Sequence, residues 1–218
     1  MKNIFLIALI LMLSGTAFAE EQERQRDFGS VSVNMNYTND YIWRGVSQGD
    51  QNALQLGLEW DRDILAGNMV VGAWTSGVDF DGTEREANYY AGYTIPFWAD
   101  HIDVGFGYVS RQFDNSAYNH EEAFASISFL DAGLSMMYAK TEAEFGDEFA
   151  RATWTIPYID QWVDVNIIYN YFEKNETQLL YGLSKEFDNG MGLHLLTGED
   201  YLTEENFTSV GLSYNYTF

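Results

Sequence analysis

The 218-residue chain contains no cysteine. Disulfide bridges, thiolate zinc sites and cysteine nucleophiles are therefore all excluded. Only two prolines occur, which favours long uninterrupted strands because proline cannot donate a hydrogen bond to a sheet ladder. Basic residues are also scarce, with 11 against 33 acidic ones and a formal net charge of -22. Such an acidic chain is unsuited to binding nucleic acid, whose phosphates it would repel.

Long apolar runs are missing except near the start of the chain. A positive charge is followed by an apolar run at residues 4–13 and by Ala-Phe-Ala at residues 17–19. This order of features is typical of a secretory signal peptide, and the run is too short for a membrane-spanning helix, which needs about 20 residues. We predict a signal peptide over residues 1–19, a charged periplasmic leader over residues 20–27, and one domain over residues 28–218.

From residue 28 onward, apolar and polar residues alternate with the period of two that is typical of strands. Ile102, Val104 and Phe106, for example, alternate with Asp103 and Gly105. Twelve such runs can be counted, and in the first the alternation continues as far as Arg44. An even strand number is usual in bacterial outer-membrane barrels.

The connections between the runs also alternate in kind. Tight or aromatic connections follow the even-numbered runs, at residues 65–68, 96–98, 130–133, 157–160 and 188–190. Polar and acidic connections follow most odd-numbered runs, at residues 79–84, 114–122, 142–148 and 200–206. Short turns on one side and longer polar loops on the other are expected of an outer-membrane barrel with both termini in the periplasm.

Three features favour a membrane barrel over a soluble β-sandwich. Aromatic residues that suit a membrane interface lie near the ends of the apolar faces: Trp43, Trp60, Trp98, Trp154, Trp162, Tyr214 and Tyr216. The opposite faces are rich in Gly, Ser, Asn and Thr, which suits a wet lumen. The chain also ends in a strand that can close the sheet, as burial in lipid requires. We therefore predict an all-β protein of the outer membrane, a closed antiparallel transmembrane β-barrel of about 12 strands.

A family resemblance points the same way. Residues 37–48 read Tyr-Thr-Asn-Asp-Tyr-Ile-Trp-Arg-Gly-Val-Ser-Gln, and this segment resembles the opening motif of the TorF-type porin family. Residues 53–58 and 72–80 are similar to the motifs that follow it there, and residues 86–93 fit more loosely. The resemblance covers roughly residues 30 to 95. It implies a barrel, suggests a pore, and brings no catalytic residues with it.

Charged residues on the polar faces are the candidates for lining a pore. By alternation these are Asp40, Arg44, Glu59, Glu86, Asp103, Arg111, Arg151 and Asp164. An acid-lined pore would favour cations. The same charges could instead form a buried polar network that plugs the barrel, because buried charges need partners in either case.

The function that we expect is passive passage of small hydrophilic solutes, leaning towards cations. Two alternatives stay open: a non-conducting structural or adhesive barrel that acts through its acidic loops, and a lipase-like enzyme. Three histidines are present, but the H-E-x-x-H motif does not occur, and we expect no catalytic residues. Residues 79–84 offer alternating carboxylates without the full calcium-loop spacing, so no metal or cofactor is expected either. The expected partners are outer-membrane lipid, lipopolysaccharide and, through Phe218, the barrel-assembly machinery.

Overall fold

The structure, a computed structural model, describes residues 28–49, 51–98, 101–141, 148–156, 163–172, 176–200 and 203–218. The predicted signal peptide and leader lie outside these ranges, as do Trp162, the predicted turn at residues 157–160 and nearly all of the predicted loop at residues 142–148. In the part that is described, no helix is long and apolar enough to cross a membrane.

Twelve long strands follow one another around a closed antiparallel barrel, as the sequence predicts. They are β1 (Ser30–Thr38), β4 (Ala53–Ile64), β5 (Gly67–Phe80), β6 (Thr83–Phe97), β7 (Ile102–Phe113), β8 (His120–Phe129), β9 (Leu134–Thr141), β10 (Glu148–Thr155), β11 (Asp164–Phe172), β12 (Thr177–Glu186), β13 (Met191–Glu199) and β14 (Asn206–Thr217). Two short strands, β2 (Ile42–Trp43) and β3 (Val46–Ser47), pair only with each other. Two 3-10 helices, η1 (Ser116–Tyr118) and η2 (Leu130–Ala132), lie in connections.

The barrel closes where the first and last strands meet, with Ser32 opposite Thr217 and Thr38 opposite Gly211. Both of these strands therefore present their chain termini at one end of the barrel, which we call the terminal end. The opposite end, where β1 leads to β4, is called the loop end. Closure leaves no unpaired sheet edge, which is the condition for a strand structure to lie in lipid.

The outer surface is apolar along the whole wall. Large apolar side chains are exposed on β1, on β4 to β7 and on β9 to β14. Among the predicted interface aromatics, Trp98, Trp154, Tyr214 and Tyr216 are exposed as expected, whereas Trp60 is partly buried. A soluble monomer rarely exposes so much contiguous apolar surface.

The predicted extension of the first strand to Arg44 is wrong. Strand β1 ends at Thr38, where its pairing with β4 ends, and residues 39–49 turn into the lumen instead. We call residues 39–49 the inward hairpin. Its turn is made by Arg44 and Gly45, with φ of +48° and +85°, and Trp43 lies buried inside rather than facing lipid.

The predicted loop at residues 79–84 is also wrong in extent. Strands β5 and β6 continue through it, so that only Asp81 and Gly82 form the turn. In the extended part of β5, the backbone N–H of Asp79 donates a hydrogen bond to the carbonyl of Gln48 in the inward hairpin at 2.8 Å.

Candidate functional site

The inward hairpin crosses the lumen and is held from several sides. The hydroxyl of Tyr41 donates to Glu86 Oε2 on β6 at 3.0 Å. The backbone N–H of Ser47 donates to Asp200 Oδ2, beyond the end of β13, at 2.9 Å. Where the chain leaves β1, Asn39 exchanges hydrogen bonds with the backbone of Val210 on β14. The segment is thus fixed to the barrel wall at separate points rather than hanging free.

The tip of the hairpin depends on a glycine. Gln178 on β12 donates from Nε2 to the carbonyl of Gly45 at 2.9 Å. A Cβ on Gly45 would lie 1.8 Å from Gln178 Oε1, and its positive φ is one that other residues rarely adopt. Gly45 therefore allows both the turn and the close approach of the hairpin to the wall.

Two buried ion pairs surround the hairpin. Arg44 pairs with Glu122 on β8, and Arg111 on β7 pairs with Glu86 at 3.0 Å. The guanidinium of Arg111 also lies 4.1 Å from the centre of the Trp43 ring, a cation–π distance. Removing one partner from such a pair is strongly destabilising, because the other charge is left buried.

Arg151 on β10 is a third buried arginine, with 4% of its surface exposed. Its Nε donates to Asn170 Oδ1 on β11 at 2.7 Å, and its guanidinium lies 5.3 Å from the Phe149 ring centre. No carboxylate pairs with it in the described ranges. Near the hairpin, three arginines thus share the lumen with two glutamates, Glu86 and Glu122.

Aromatic and aliphatic side chains fill one side of the lumen. Inward-facing residues of β5 to β10 pack there against Tyr41 and Trp43 of the inward hairpin, and we call this side the packed wall. Its members include Val70, Trp74, Tyr90, Val109, Phe124, Met137 and Phe149. Tyr41 and Trp74, for instance, meet edge to face with 6.0 Å between ring centres. The wet lumen that the polar faces suggest is therefore not found on this side, because aromatic side chains occupy inward positions of several strands.

The other side of the lumen holds a cavity of about 150 Å³. It lies along the inner face of β11 to β14 and β1, which we call the open wall. The polar side chains that line it include four on the adjacent strands β12 to β14: Ser184, His194, Ser213 and Asn215. Tyr41 and Ile42 of the inward hairpin border it towards the loop end. The hairpin thus lies between this cavity and part of the loop end of the barrel.

The predicted pore-lining residues are dispersed rather than gathered around the cavity. Of those eight, all of which are described, Asp40 alone lines it. Arg44, Glu86 and Arg111 belong to the ion pairs around the hairpin, and Arg151 lies near them. The others lie towards the terminal end: Glu59, which accepts from the Tyr90 hydroxyl at 3.1 Å, buried Asp103, and Asp164 at the start of β11.

Several site residues could not be identified by alternation. Glu122 falls within the predicted polar loop at residues 114–122, although it is fully buried on β8. Gln178 and Asn170 are polar-face residues like many others in the sequence. The one usable signal is the Arg44-Gly45 pair, since glycine after a polar residue often marks a turn.

The histidines occupy three different environments. His101 pairs with Asp131 at 2.7 Å in an exposed turn, and His120 stacks on Phe113 with 6.1 Å between ring centres. His194 faces the cavity. Within the ranges described, no histidine bonds to a serine side chain, and no group of His, Asp and Glu side chains could hold a metal ion.

Comparison with family models decides the relationship. Residues 23–204 match the model of a bacterial protein family of unknown function, Gcw_chp. The chain belongs to the Gcw_chp family. No curated protein is significantly similar to it in sequence. The resemblance to TorF-type porins stays a prediction.

Solved structures resemble this member of the Gcw_chp family in fold. The KdgM porin superposes with a TM-score of 0.58 at 9% identity, over 87% of this chain and 99% of that one. The COG4313 outer-membrane channel of Pseudomonas putida F1 superposes with a TM-score of 0.53 at 10% identity, over 91% of this chain and 100% of that one. A protein from work on in-meso crystallisation of membrane proteins superposes with a TM-score of 0.62 at 11% identity, over 88% of this chain and 84% of that one. At these identities the likeness concerns the fold alone, which is that of outer-membrane barrels.

Proposed function

We propose that this chain is an outer-membrane channel for passive passage of small hydrophilic solutes. The observation behind the proposal is a closed barrel with an apolar exterior, whose lumen keeps a cavity along the open wall that is lined in part by polar side chains. Barrels of about 8 strands are filled by side chains and those of about 16 leave an aqueous channel. With twelve strands, the residues that project inward decide how much room is left.

The proposed location follows from the outer surface and from the start of the sequence. An apolar wall needs lipid, and a signal peptide over residues 1–19 would export the chain. The start of β1 and the end of β14 would then face the periplasm at the terminal end. Phe218 would be available there to the assembly machinery, and the loop end would face lipopolysaccharide. The protein should fractionate with outer membranes and migrate differently before and after heating in detergent gels. Recovery as a soluble periplasmic monomer would rule this location out.

The inward hairpin would set the width of the channel. It joins the packed wall on one side and borders the cavity on the other, so the narrowest point lies beside Tyr41 and Ile42. Solutes would pass along the open wall, because the packed wall is filled by side chains.

We also propose that the channel has a modest preference for cations. Glu86 and Glu122 are neutralised by arginines, so the preference would depend on acids closer to the path, such as Asp40, and on Glu59 near the terminal end. We expect planar-bilayer recordings in a salt gradient to give steady channels with a cation-selective reversal potential. Asp40→Asn and Glu59→Gln should each weaken that preference by up to about twofold, since a surface charge is partly screened by salt. A preference for anions would show instead that Arg151 and the other buried arginines determine the electrostatic potential along the path.

One observation favours a second function, a non-conducting barrel that acts through its surface. Buried ion pairs surround the inward hairpin. At the loop end, side chains of different connections are acidic and form hydrogen bonds with each other. Tyr118 donates a hydrogen bond to Asp81 there, and this bond raises the pKa of the Tyr118 hydroxyl. The bilayer recording separates the two functions, since folded protein that never conducts would favour the structural one. A lipase-like activity has no comparable support, because none of the described histidines bonds to a serine.

A further inference from the structure

The cavity on the open wall is bordered by polar side chains with unused hydrogen-bonding capacity. Ser184 on β12 lies opposite His194 on β13, while Ser213 and Asn215 lie on β14. In the described part of the chain, these four side chains make no hydrogen bond to protein. Two hydroxyls, an imidazole and an amide can therefore donate to, and accept from, a bound molecule.

Two glycines keep this part of the lumen open. A Cβ on Gly211 would lie 2.1 Å from His194 Nε2, so the imidazole lies directly against β14. A Cβ on Gly192 would lie 2.2 Å from Ser213 Oγ. Any larger side chain at either position would displace one of the polar groups or fill the space beside it.

Most of the cavity surface is apolar, although further hydroxyls and amides such as Thr38, Gln55 and Asn166 also line it. Tyr41 and Ile42 of the inward hairpin face it from the loop end, and Ile168 and Leu196 contribute from β11 and β13. An apolar surface with a few polar groups on one side is the usual make-up of a small-molecule site. It suits a ligand that presents C–H groups on its faces and hydroxyls at its edge.

Charge is confined to the two ends of the cavity. Asp40 lies beside the inward hairpin, and Lys185 and Glu186 lie at the terminal end. Between them the polar groups are hydroxyls, amides and one imidazole. An ion held there would lose much of its hydration without a paired charge, which is costly. An uncharged solute avoids that cost.

We propose that this cavity binds small uncharged polyhydroxylated solutes, about the size of a monosaccharide. The inference rests on the proposed channel function, for which it names the class of solute. The volume of about 150 Å³ is far above the roughly 10–15 Å³ that a cavity needs to hold one water. That space suits one sugar ring, and a longer chain would extend beyond the cavity.

The test uses the full chain, folded in detergent micelles with ¹⁵N-labelled histidine. Only three histidines occur, so His194→Gln assigns the His194 signals, and His101 in its exposed turn serves as an internal control. We expect D-glucose to shift the His194 signals saturably while leaving those of His101 in place. Glucose 6-phosphate and glucosamine, which add a charge of either sign, should bind at least several-fold more weakly.

Two variants locate the binding. Gly192→Val should weaken glucose binding by at least tenfold, because it fills the space beside Ser213. Gly77→Val is the matched control, since a Cβ on Gly77 meets nothing within 4 Å, and it should bind like the wild type. Ser213→Ala removes a hydroxyl without adding bulk and should weaken binding several-fold, which keeps the test decisive if Gly192→Val does not fold.

The results separate this inference from the channel function. Absence of a saturable shift at His194 would overturn the inference, as would tighter binding of either charged sugar. If steady conductance is found alongside either result, the channel function stands and only the solute class is wrong. A saturable His194 shift in protein that never conducts would support the site and contradict the channel.

Discussion

The packed wall and the open wall differ although both belong to one sheet with one alternating pattern. On the packed wall, inward positions carry large rings such as Trp74 and Phe124 and the buried pair of Glu86 with Arg111. On the open wall, they carry serine, asparagine and glycine around the cavity, beside a smaller apolar cluster that includes Ile168 and Leu180. The inward hairpin packs its aromatic side chains against the first and leaves space beside the second. Barrel closure alone thus does not determine what can pass, because the hairpin divides the lumen unequally.

The largest effect is expected when the hairpin is removed. Replacing residues 40–48 by a short Gly-Ser linker should leave the barrel closed, because β1 pairs with β14 and β4 only up to Thr38. The lumen would then widen towards that of an open barrel, and single-channel conductance should rise by roughly an order of magnitude. A heat-modifiable, correctly folded variant with unchanged conductance would show that the hairpin does not limit passage.

The next effect concerns the ion pair that holds the hairpin to the packed wall. Glu122→Gln leaves Arg44 buried without its charged partner and should lower the free energy of unfolding by about 3–5 kcal/mol. Urea unfolding of the protein in lipid vesicles, followed by tryptophan fluorescence, measures this. Lys140→Gln is the control, because its pair with Glu148 at 3.1 Å is exposed and should contribute at most about 1 kcal/mol. Equal losses in both variants would mean that Glu122 does not hold the hairpin.

The smallest effect compares two glycines with similar backbone angles. Gly82, with φ of +73°, has open space around it, whereas Gly45, with φ of +85°, lies against Gln178. Gly82→Ala should cost about 1–2 kcal/mol for the backbone alone, and Gly45→Ala should cost a further 1–3 kcal/mol, roughly, for the overlap. The same unfolding measurement applies. If the two variants lose the same stability, the tip of the hairpin does not contact the wall as closely as described.

The barrel could be predicted because its signal is local. Within each strand, the alternation of apolar and polar residues distinguishes the lipid-facing from the inward face. The strand number, the apolar exterior and the closing role of β14 therefore follow from short stretches of sequence. Strand ends were predicted less well. Strand β5 continues to Phe80, for example, where the backbone N–H of Asp79 donates to the carbonyl of Gln48 in the inward hairpin, a segment distant in the sequence.

The hairpin itself could not be predicted from alternation. Tyr41 and Trp43 continue the period of Val33 and Met35, so a lipid-facing strand and a buried hairpin give the same pattern. What distinguishes them is a set of buried partners far away in the sequence, such as Glu122 and Gln178. The same limitation explains why most predicted pore-lining charges lie away from the cavity.

Thiol accessibility can show directly whether solutes pass along the open wall and not through the packed wall. The chain has no cysteine, so single substitutions can report access by water. Ser213→Cys places a thiol in the cavity, and Ser126→Cys places one at a buried inward position of β8. We expect a charged, water-soluble thiol reagent to modify Ser213→Cys quickly and reduce its single-channel conductance, while Ser126→Cys reacts at least tenfold more slowly and conducts unchanged. Equal modification at both positions, or block through Ser126→Cys alone, would show that solutes do not pass along the open wall.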